Sequence, residues 1–255
     1  MGRAPAVLGV RAAAFGALAA LLGLYYAFSE SLWNASDWWD VTWLAFVLMP
    51  AVFALVWLVL PLQRARGLLF VSAAFGALAA LATEAEIGAL ADFAKLGGIT
   101  ALAFWFLGYF EELPLIVLVA TIVPLVDSWS VRRGPTHDIT KHHIHVYTNL
   151  SFAFPLPGEH ASANLGLPDL LFFGLFLAAT SRFGLRAGWT WLAMTLSFGA
   201  TVAIAVATHV AGLPALPGLS IAYLGVNADL LWKRLQRGRR SPQTTPPDRA
   251  RSSEP

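Results

Sequence analysis

Apolar positions along the chain form eight long runs separated by short polar segments. An α-helix needs about 20 such residues to cross a bilayer. Lipid offers no partner for backbone N–H and C=O groups, so runs of this kind are expected to be helices. The predicted spans are 5–28, 41–62, 67–84, 87–110, 112–132, 166–183, 187–210 and 213–232. The pattern therefore predicts an all-α, polytopic membrane bundle of about eight transmembrane helices.

The composition narrows the possible chemistry. Apolar residues make up 57% of the chain and charged residues 13%, whereas soluble domains carry about 25% charged residues. The chain has no cysteine, which excludes disulfides, thiolate nucleophiles and cysteine-based zinc sites. Residues 233–255 are rich in Arg, Pro and Ser. We predict that they form a disordered basic tail along the lipid bilayer surface, and we expect no nucleic-acid partner.

Positive charge in short loops predicts the orientation, because such loops stay in the cytoplasm. With eight spans, one side of the membrane carries the basic tail together with Arg3, Arg11, Arg64, Arg66, Arg182 and Arg186. The acidic first and third loops fall on the other side. We therefore expect both termini in the cytoplasm and the 133–165 connecting loop outside.

Ionisable residues inside a span are functional candidates, because burying them in lipid is costly. The predicted spans contain Arg11, Asp92, Lys95, Asp127, Asp169 and Asp229. Asp92 and Lys95 are three apart on one helix and are expected to pair. Arg11 and Asp229 lie near helix ends, where side chains reach the headgroups. Two aspartates remain without such an explanation.

Asp127 lies near the end of the fifth span and Asp169 at the start of the sixth. Consecutive antiparallel spans bring both to one membrane face. The segment Pro214-Ala215-Leu216-Pro217 starts the eighth span on that same face. Its two prolines lack N–H donors and are expected to keep it out of helix. Irregular backbone at membrane depth needs a protein-lined or wet cavity, so we predict a polar cavity that holds both carboxylates.

The order of these elements resembles the presenilin and signal peptide peptidase family of intramembrane aspartyl proteases. The resemblance covers about residues 112–232. The stretch LGLPDLLFFGLFLAATSRFG is similar to the family's GxGD helix, and PALPGLSIAY is similar to the start of its PAL helix. Phe154-Pro155-Leu156-Pro157 is similar to a segment of archaeal relatives. Val126 stands where the family usually has Tyr, and Pro168 where it has the second Gly of GxGD.

The resemblance implies a prokaryotic plasma-membrane protease that hydrolyses peptide bonds within transmembrane helices or signal peptides. Residues 1–111 would be an N-terminal four-helix part, and 112–232 the catalytic part. The substrate helix would unwind into a strand beside the PAL segment, and no metal or organic cofactor is needed. The implied catalytic residues are Asp127 and Asp169, and the implied substrate-binding residues are Gly166, Leu167, Pro168, Pro214, Ala215, Leu216 and Pro217.

Helix position suggests a role for each carboxylate. Two adjacent carboxyl groups share one proton, because both cannot easily ionise together. Asp169 lies in the first turn of its helix, where the helix dipole favours negative charge, and Asp127 lies near a helix C-terminus. We therefore predict Asp169 as the general base and Asp127 as the general acid.

Three other functions remain open at this stage. A catalytically inactive member of the same fold would bind or chaperone membrane proteins. An ion or proton transporter would use the two aspartates as ligands or relays. A prepilin peptidase also uses a GxGD-type aspartate, although the PALP segment favours the presenilin-like order. The histidines at 137, 142, 143 and 145 form a further cluster, which is interpreted as solvated rather than metal-binding.

The orientation can be tested by cysteine labelling, because the native chain provides an unreactive background. We expect an impermeant maleimide to label Ser31→Cys, in the first loop, on intact cells. Arg66→Cys, in the second loop, should react only after permeabilisation. The reverse pattern would show that the orientation is inverted.

Overall fold

The computed structural model describes residues 3–133, 150–208 and 213–240. This part contains nine helical segments and one hairpin, which confirms the all-α class. The helices are α1 Arg3–Phe28, α2 Asp37–Trp43, α3 Met49–Val59, α4 Leu68–Glu84, α5 Gly88–Phe106, α6 Leu113–Arg133, α7 Leu167–Arg182, α8 Ala187–Thr208 and α9 Leu216–Arg240. The strands are β1 Ser151–Pro155 and β2 Ser162–Gly166. A π-helical turn at Leu44–Leu48 joins α2 to α3.

Four helical stretches are long and apolar enough to cross a membrane. They are Leu8–Ser31, Asp37–Arg64, Gly88–Tyr109 and Ala187–Thr208. The second stretch contains α2, α3 and the turns around them. Two further apolar helices, Leu68–Glu84 and Leu113–Trp129, are shorter. This set of helices is that of an integral membrane protein.

Helix α7 lies at the centre of the bundle. Its side chains are fully or almost fully buried over the whole run 173–180, which is typical of a helix that is apolar on all faces. Phe173 stacks on Phe53 of α3 with ring centroids 4.4 Å apart. Phe176 stacks on Tyr223 of α9 at 4.8 Å. The neighbouring helices therefore hold the Asp169 helix on several sides.

Small residues allow the helices to approach closely. A Cβ added at Gly199 of α8 would lie 2.7 Å from the Cβ of Ala45, in the π-helical turn. A Cβ added at Gly174 of α7 would lie 3.0 Å from the Cβ of Ala103 on α5. Small residues at such crossings are typical of membrane bundles, where close van der Waals packing drives association.

Three predicted boundaries were wrong. The 133–165 connection contains β1 and most of β2. The Pro214–Pro217 segment is non-helical only at its first two residues, because α9 already begins at Leu216. Pro217 is accommodated there because proline fits the first turn of a helix, where its missing N–H costs nothing. The basic tail is also helical up to Arg240, and residues 241–255 lie outside the described part.

The hairpin is antiparallel and pairs Phe152 with Leu165 and Phe154 with Ala163. Both phenylalanine side chains are completely buried. The turn contains Gly158, whose φ of +72° favours glycine. The N–H of Gly158 donates to the carbonyl of Ser29 at 2.8 Å. The hairpin is thus inserted into the bundle and attached to the end of α1.

A pair of glycine substitutions tests the crossing of α8 over the π-helical turn. Gly199→Ala is expected to destabilise the protein by about 1–3 kcal/mol, because the new methyl group overlaps Ala45. Gly225→Ala is the control, since a Cβ there meets nothing within 4 Å. It should leave stability unchanged or slightly higher, because alanine favours helix. Thermal unfolding of the purified variants measures both, and equal stability of the two would contradict the packing.

Candidate active site

Asp169 lies where strand β2 turns into helix α7. Gly166 is the N-cap, with extended backbone at φ −60° and ψ 141°, and Pro168 lies in the first helical turn. Asp169 is the third residue of the helix. Its carboxylate reaches back to the cap: a Cβ added at Gly166 would lie 3.1 Å from Asp169 Oδ2. An acidic side chain at this position satisfies the free N–H groups of a helix start.

Asp127 lies on α6 and is half-buried. Helix α6 packs against α9, and the backbone N–H of Leu216 donates to Asp127 Oδ2 at 3.3 Å. Leu216 is the first residue of α9, so this N–H has no partner within its own helix. Asp127 therefore caps the PAL helix.

Asp127 contacts the PAL segment at Leu216 but does not border the cavity beside that segment. Asp169 borders this cavity of about 280 Å³, together with Gly166, Leu213 and Ala215. Thr201 of α8 borders it as well. The structure thus brings together Asp169, part of the GLPD motif and part of the PAL segment. The side chains of Leu167, Pro168, Pro214, Leu216 and Pro217 do not border this cavity.

Strand β2 forms one wall of the same cavity through residues 163–166. The sheet has two strands, so one edge of β2 carries no described strand. All five residues of β2 lie opposite residues of β1, and hydrogen bonds join Leu167 to Leu150 and Leu156 to Ala161. Since hydrogen-bonded pairs alternate along an antiparallel ladder, residues 163 and 165 exchange hydrogen bonds with β1. The backbone groups of Ser162, Asn164 and Gly166 therefore point to the other edge. This edge leads directly to Asp169.

The outer edge of β1 is held by side chains from the N-terminal helices. Tyr25 Oη donates to the carbonyl of Pro155 at 2.8 Å. Tyr26 Oη donates to the carbonyl of Ala153 at 2.7 Å. Lys95 Nζ donates to the carbonyl of Ser151 at 3.1 Å. Alternate carbonyls along the strand are therefore satisfied from α1 and α5.

The pairing of Asp92 with Lys95 is confirmed, with Lys95 Nζ 3.2 Å from Asp92 Oδ1. Asp229 does not simply extend to the headgroups. It accepts two hydrogen bonds at 2.8 Å from the guanidinium of Arg186, because the loop before α8 brings Arg186 alongside α9. Both ion pairs are structural and leave Asp127 and Asp169 as the acidic side chains of the site.

Asp127 does not lie at a helix C-terminus, so helix dipoles do not support the predicted acid and base roles. Helix α6 continues to Arg133, six residues beyond Asp127, and the dipole acts only within about the last turn of a helix. Asp127 instead faces the N-terminus of α9 through Leu216. Both carboxylates are thus near a helix N-terminus, and dipoles do not distinguish them.

The His137, His142, His143 and His145 cluster lies outside the described residues. Gly212, which precedes the PAL segment, lies outside them too. Within 3–133, 150–208 and 213–240, no three His, Asp or Glu side chains are grouped as a metal site.

Sequence reasoning missed the hairpin and the side chains that anchor it. The alternation in Ser151-Phe152-Ala153-Phe154 is a strand signal, although it is only four residues long. The sequence did not identify Tyr25 and Tyr26 as side chains that anchor a strand, because tyrosines near the end of a span are expected at the membrane interface.

No protein-family model matches the chain, and no curated protein or solved structure is significantly similar to it. The candidate site therefore depends on its own geometry and on the motif resemblance.

The anchoring of β1 can be tested at Lys95. Lys95→Met leaves the buried carboxylate of Asp92 without its partner, and we expect a loss of about 3–5 kcal/mol in unfolding free energy. Asp92→Asn combined with Lys95→Met removes both charges and should recover a large part of that loss. Equal stability of the single and double variants, measured by thermal or denaturant unfolding, would show that the pair is not coupled.

Proposed function

We propose that this protein is an intramembrane aspartyl protease with eight transmembrane spans and both termini in the cytoplasm. The observation that carries the proposal is that both aspartates lie beside neighbouring residues of the PAL segment. Asp127 accepts a hydrogen bond from the backbone N–H of Leu216, and Asp169 borders a cavity together with Ala215.

The lengths of the elements support a site below the membrane surface. Helix α7 has 16 residues, or about 24 Å at the usual rise per residue, whereas the hydrocarbon core is about 30 Å thick. The β-hairpin that precedes α7 completes the crossing. Non-helical backbone at that depth requires cover by protein or a wet cavity. Strand β1 is covered, since Ser151, Phe152 and Phe154 are fully buried, and residues 163–166 of β2 border the cavity.

The chemistry proposed for the pair is hydrolysis by a shared proton. The ionised carboxylate removes a proton from water, and the water oxygen bonds to the scissile carbonyl carbon. The protonated carboxyl group donates to the carbonyl oxygen. The C–N bond then breaks, and the departing nitrogen takes up a proton from the pair. Neither aspartate is singled out as the acid or the base, because both carboxylates lie near a helix N-terminus.

The free edge of β2 suggests how a substrate would be held. A transmembrane substrate has its backbone groups paired within its own helix and must unwind to expose a peptide bond. An unwound segment laid along Ser162 and Asn164 regains backbone hydrogen bonds, as in other cases of strand addition. The backbone of this substrate segment would then continue toward the carboxyl group of Asp169. The substrates would be membrane proteins or signal peptides with one such helix.

The proposal is tested with purified protein reconstituted with a panel of tagged single-span reporters. We expect cleavage by the native protein, and a fall of about 10²–10⁴-fold in rate for Asp127→Asn and for Asp169→Asn. Asp229→Asn is the matched control, because its partly exposed ion pair with Arg186 lies outside the site. It should cleave at the native rate.

Two results would overturn the assignment. Cleavage that persists in both Asp127→Asn and Asp169→Asn would show that other residues catalyse it. If neither the native protein nor Pro168→Gly cleaves any reporter, while both still bind the reporters, the protein is a non-catalytic binder of the same fold. Mass spectrometry of the products identifies the bond that is cut.

A further inference from the structure

A polar cavity of about 540 Å³ lies at the opposite end of the bundle from the aspartates. It is bordered by Gln63, Arg64, Ala65 and Gly67 between α3 and α4, by Phe104, Trp105, Leu107 and Gly108 at the end of α5, and by Arg182 at the end of α7. All three segments are on the face predicted to be cytoplasmic. This cavity is therefore separate from the candidate active site.

Two guanidinium groups border this cavity, those of Arg64 and Arg182. Within the described ranges neither forms an ion pair with an acidic side chain. Arg182 donates one hydrogen bond to the carbonyl of Leu107 at 2.7 Å, which leaves other N–H groups of its fork available. The cavity thus offers unused guanidinium N–H donors and a net positive charge.

An apolar groove of about 360 Å³ adjoins the polar cavity. Its walls come from α1, α3, α4 and α5, and its lining is almost wholly hydrophobic. Leu68 and Phe104 border both the groove and the polar cavity. Along α5 the groove extends from Leu90 to Phe104, or about 21 Å at 1.5 Å per residue. One leaflet of hydrocarbon is about 15 Å thick, so the groove is long enough for an acyl chain.

We propose that the cavity and the groove together form a binding site for an anionic phospholipid of the cytoplasmic leaflet. The phosphate lies between Arg64 and Arg182, and one acyl chain occupies the groove between α1 and α4. Arginine suits this role because its planar fork matches phosphate oxygens. Basic pockets between membrane helices on the cytoplasmic side are typical headgroup sites. The acidic pair Glu111 and Glu112 follows α5 but does not border the cavity.

Native mass spectrometry of the full chain in detergent provides the test, with dioleoylphosphatidylglycerol and dioleoylphosphatidylcholine offered at equal concentration. We expect preferential retention of phosphatidylglycerol. Arg64→Gln should lower it by about tenfold, since a charge-assisted hydrogen bond is lost. Arg64 is exposed, so this variant is expected to fold. Arg66→Gln is the control, because Arg66 is equally exposed but does not border the cavity.

The groove is tested separately with tryptophan substitutions on α4. Val71 borders the groove, and Val71→Trp should reduce lipid retention by filling it. Leu81→Trp is the control, because Leu81 is 69% exposed and does not border the groove. Inorganic phosphate and a chain-free glycerophosphoglycerol distinguish a lipid from a soluble phosphate ligand. Neither should displace the lipid at comparable concentration.

Several outcomes would overturn the proposal. Equal retention of the two lipids would show that the negative charge of the headgroup does not contribute to binding. An equal loss in Arg66→Gln and Arg64→Gln would indicate a general surface attraction. Displacement of the lipid by inorganic phosphate would make the ligand a free phosphate, and unchanged retention in Val71→Trp would exclude the groove.

Discussion

The structure depends on one constraint, which is that backbone polar groups inside an apolar bundle must find partners. The hairpin before α7 is the place where this constraint is hardest to meet, because a strand cannot satisfy both of its edges alone. One edge of β1 is paired with β2, and the other receives hydrogen bonds from Tyr25, Tyr26 and Lys95. These three hydrogen bonds stabilise the two-stranded sheet within the helical bundle. They also tie the N-terminal helices to the segment that carries Asp169.

The same constraint leaves the outer edge of β2 next to the cavity. Its backbone groups lie beside the carboxylate of Asp169, and the PAL segment lies across the cavity from them. A helix cannot present its backbone in this way, because its N–H and C=O groups are already paired internally. A strand edge beside the carboxylate of Asp169 is therefore an arrangement suited to an extended peptide. The N-terminal part of the chain serves this arrangement indirectly, by keeping β1 in place.

The two ends of the bundle have different chemistry. One end carries Asp169 beside a small cavity and Asp127 at the start of α9. The other end exposes Arg64 and Arg182 beside an apolar groove, in the region where anionic headgroups would lie. This separation of charge agrees with the orientation inferred from the loops. It also means that the proposed lipid binding at one end and the proposed peptide hydrolysis at the other can be tested independently.

The sequence by itself determined the helical class, the apolar helices long enough to cross a membrane and the candidate aspartates, because these follow from local hydropathy and from the cost of burying charge. The pairing of Asp92 with Lys95 was predictable for the same reason, since helical spacing sets it. Only the tertiary structure decided that residues 151–166 form a hairpin and that Asp127 caps α9. It likewise decided that Asp229 pairs with Arg186 and that Tyr25 and Tyr26 hold β1. The last three of these contacts join residues more than forty positions apart, and local periodicity carries no information about which distant groups will complete a hydrogen bond.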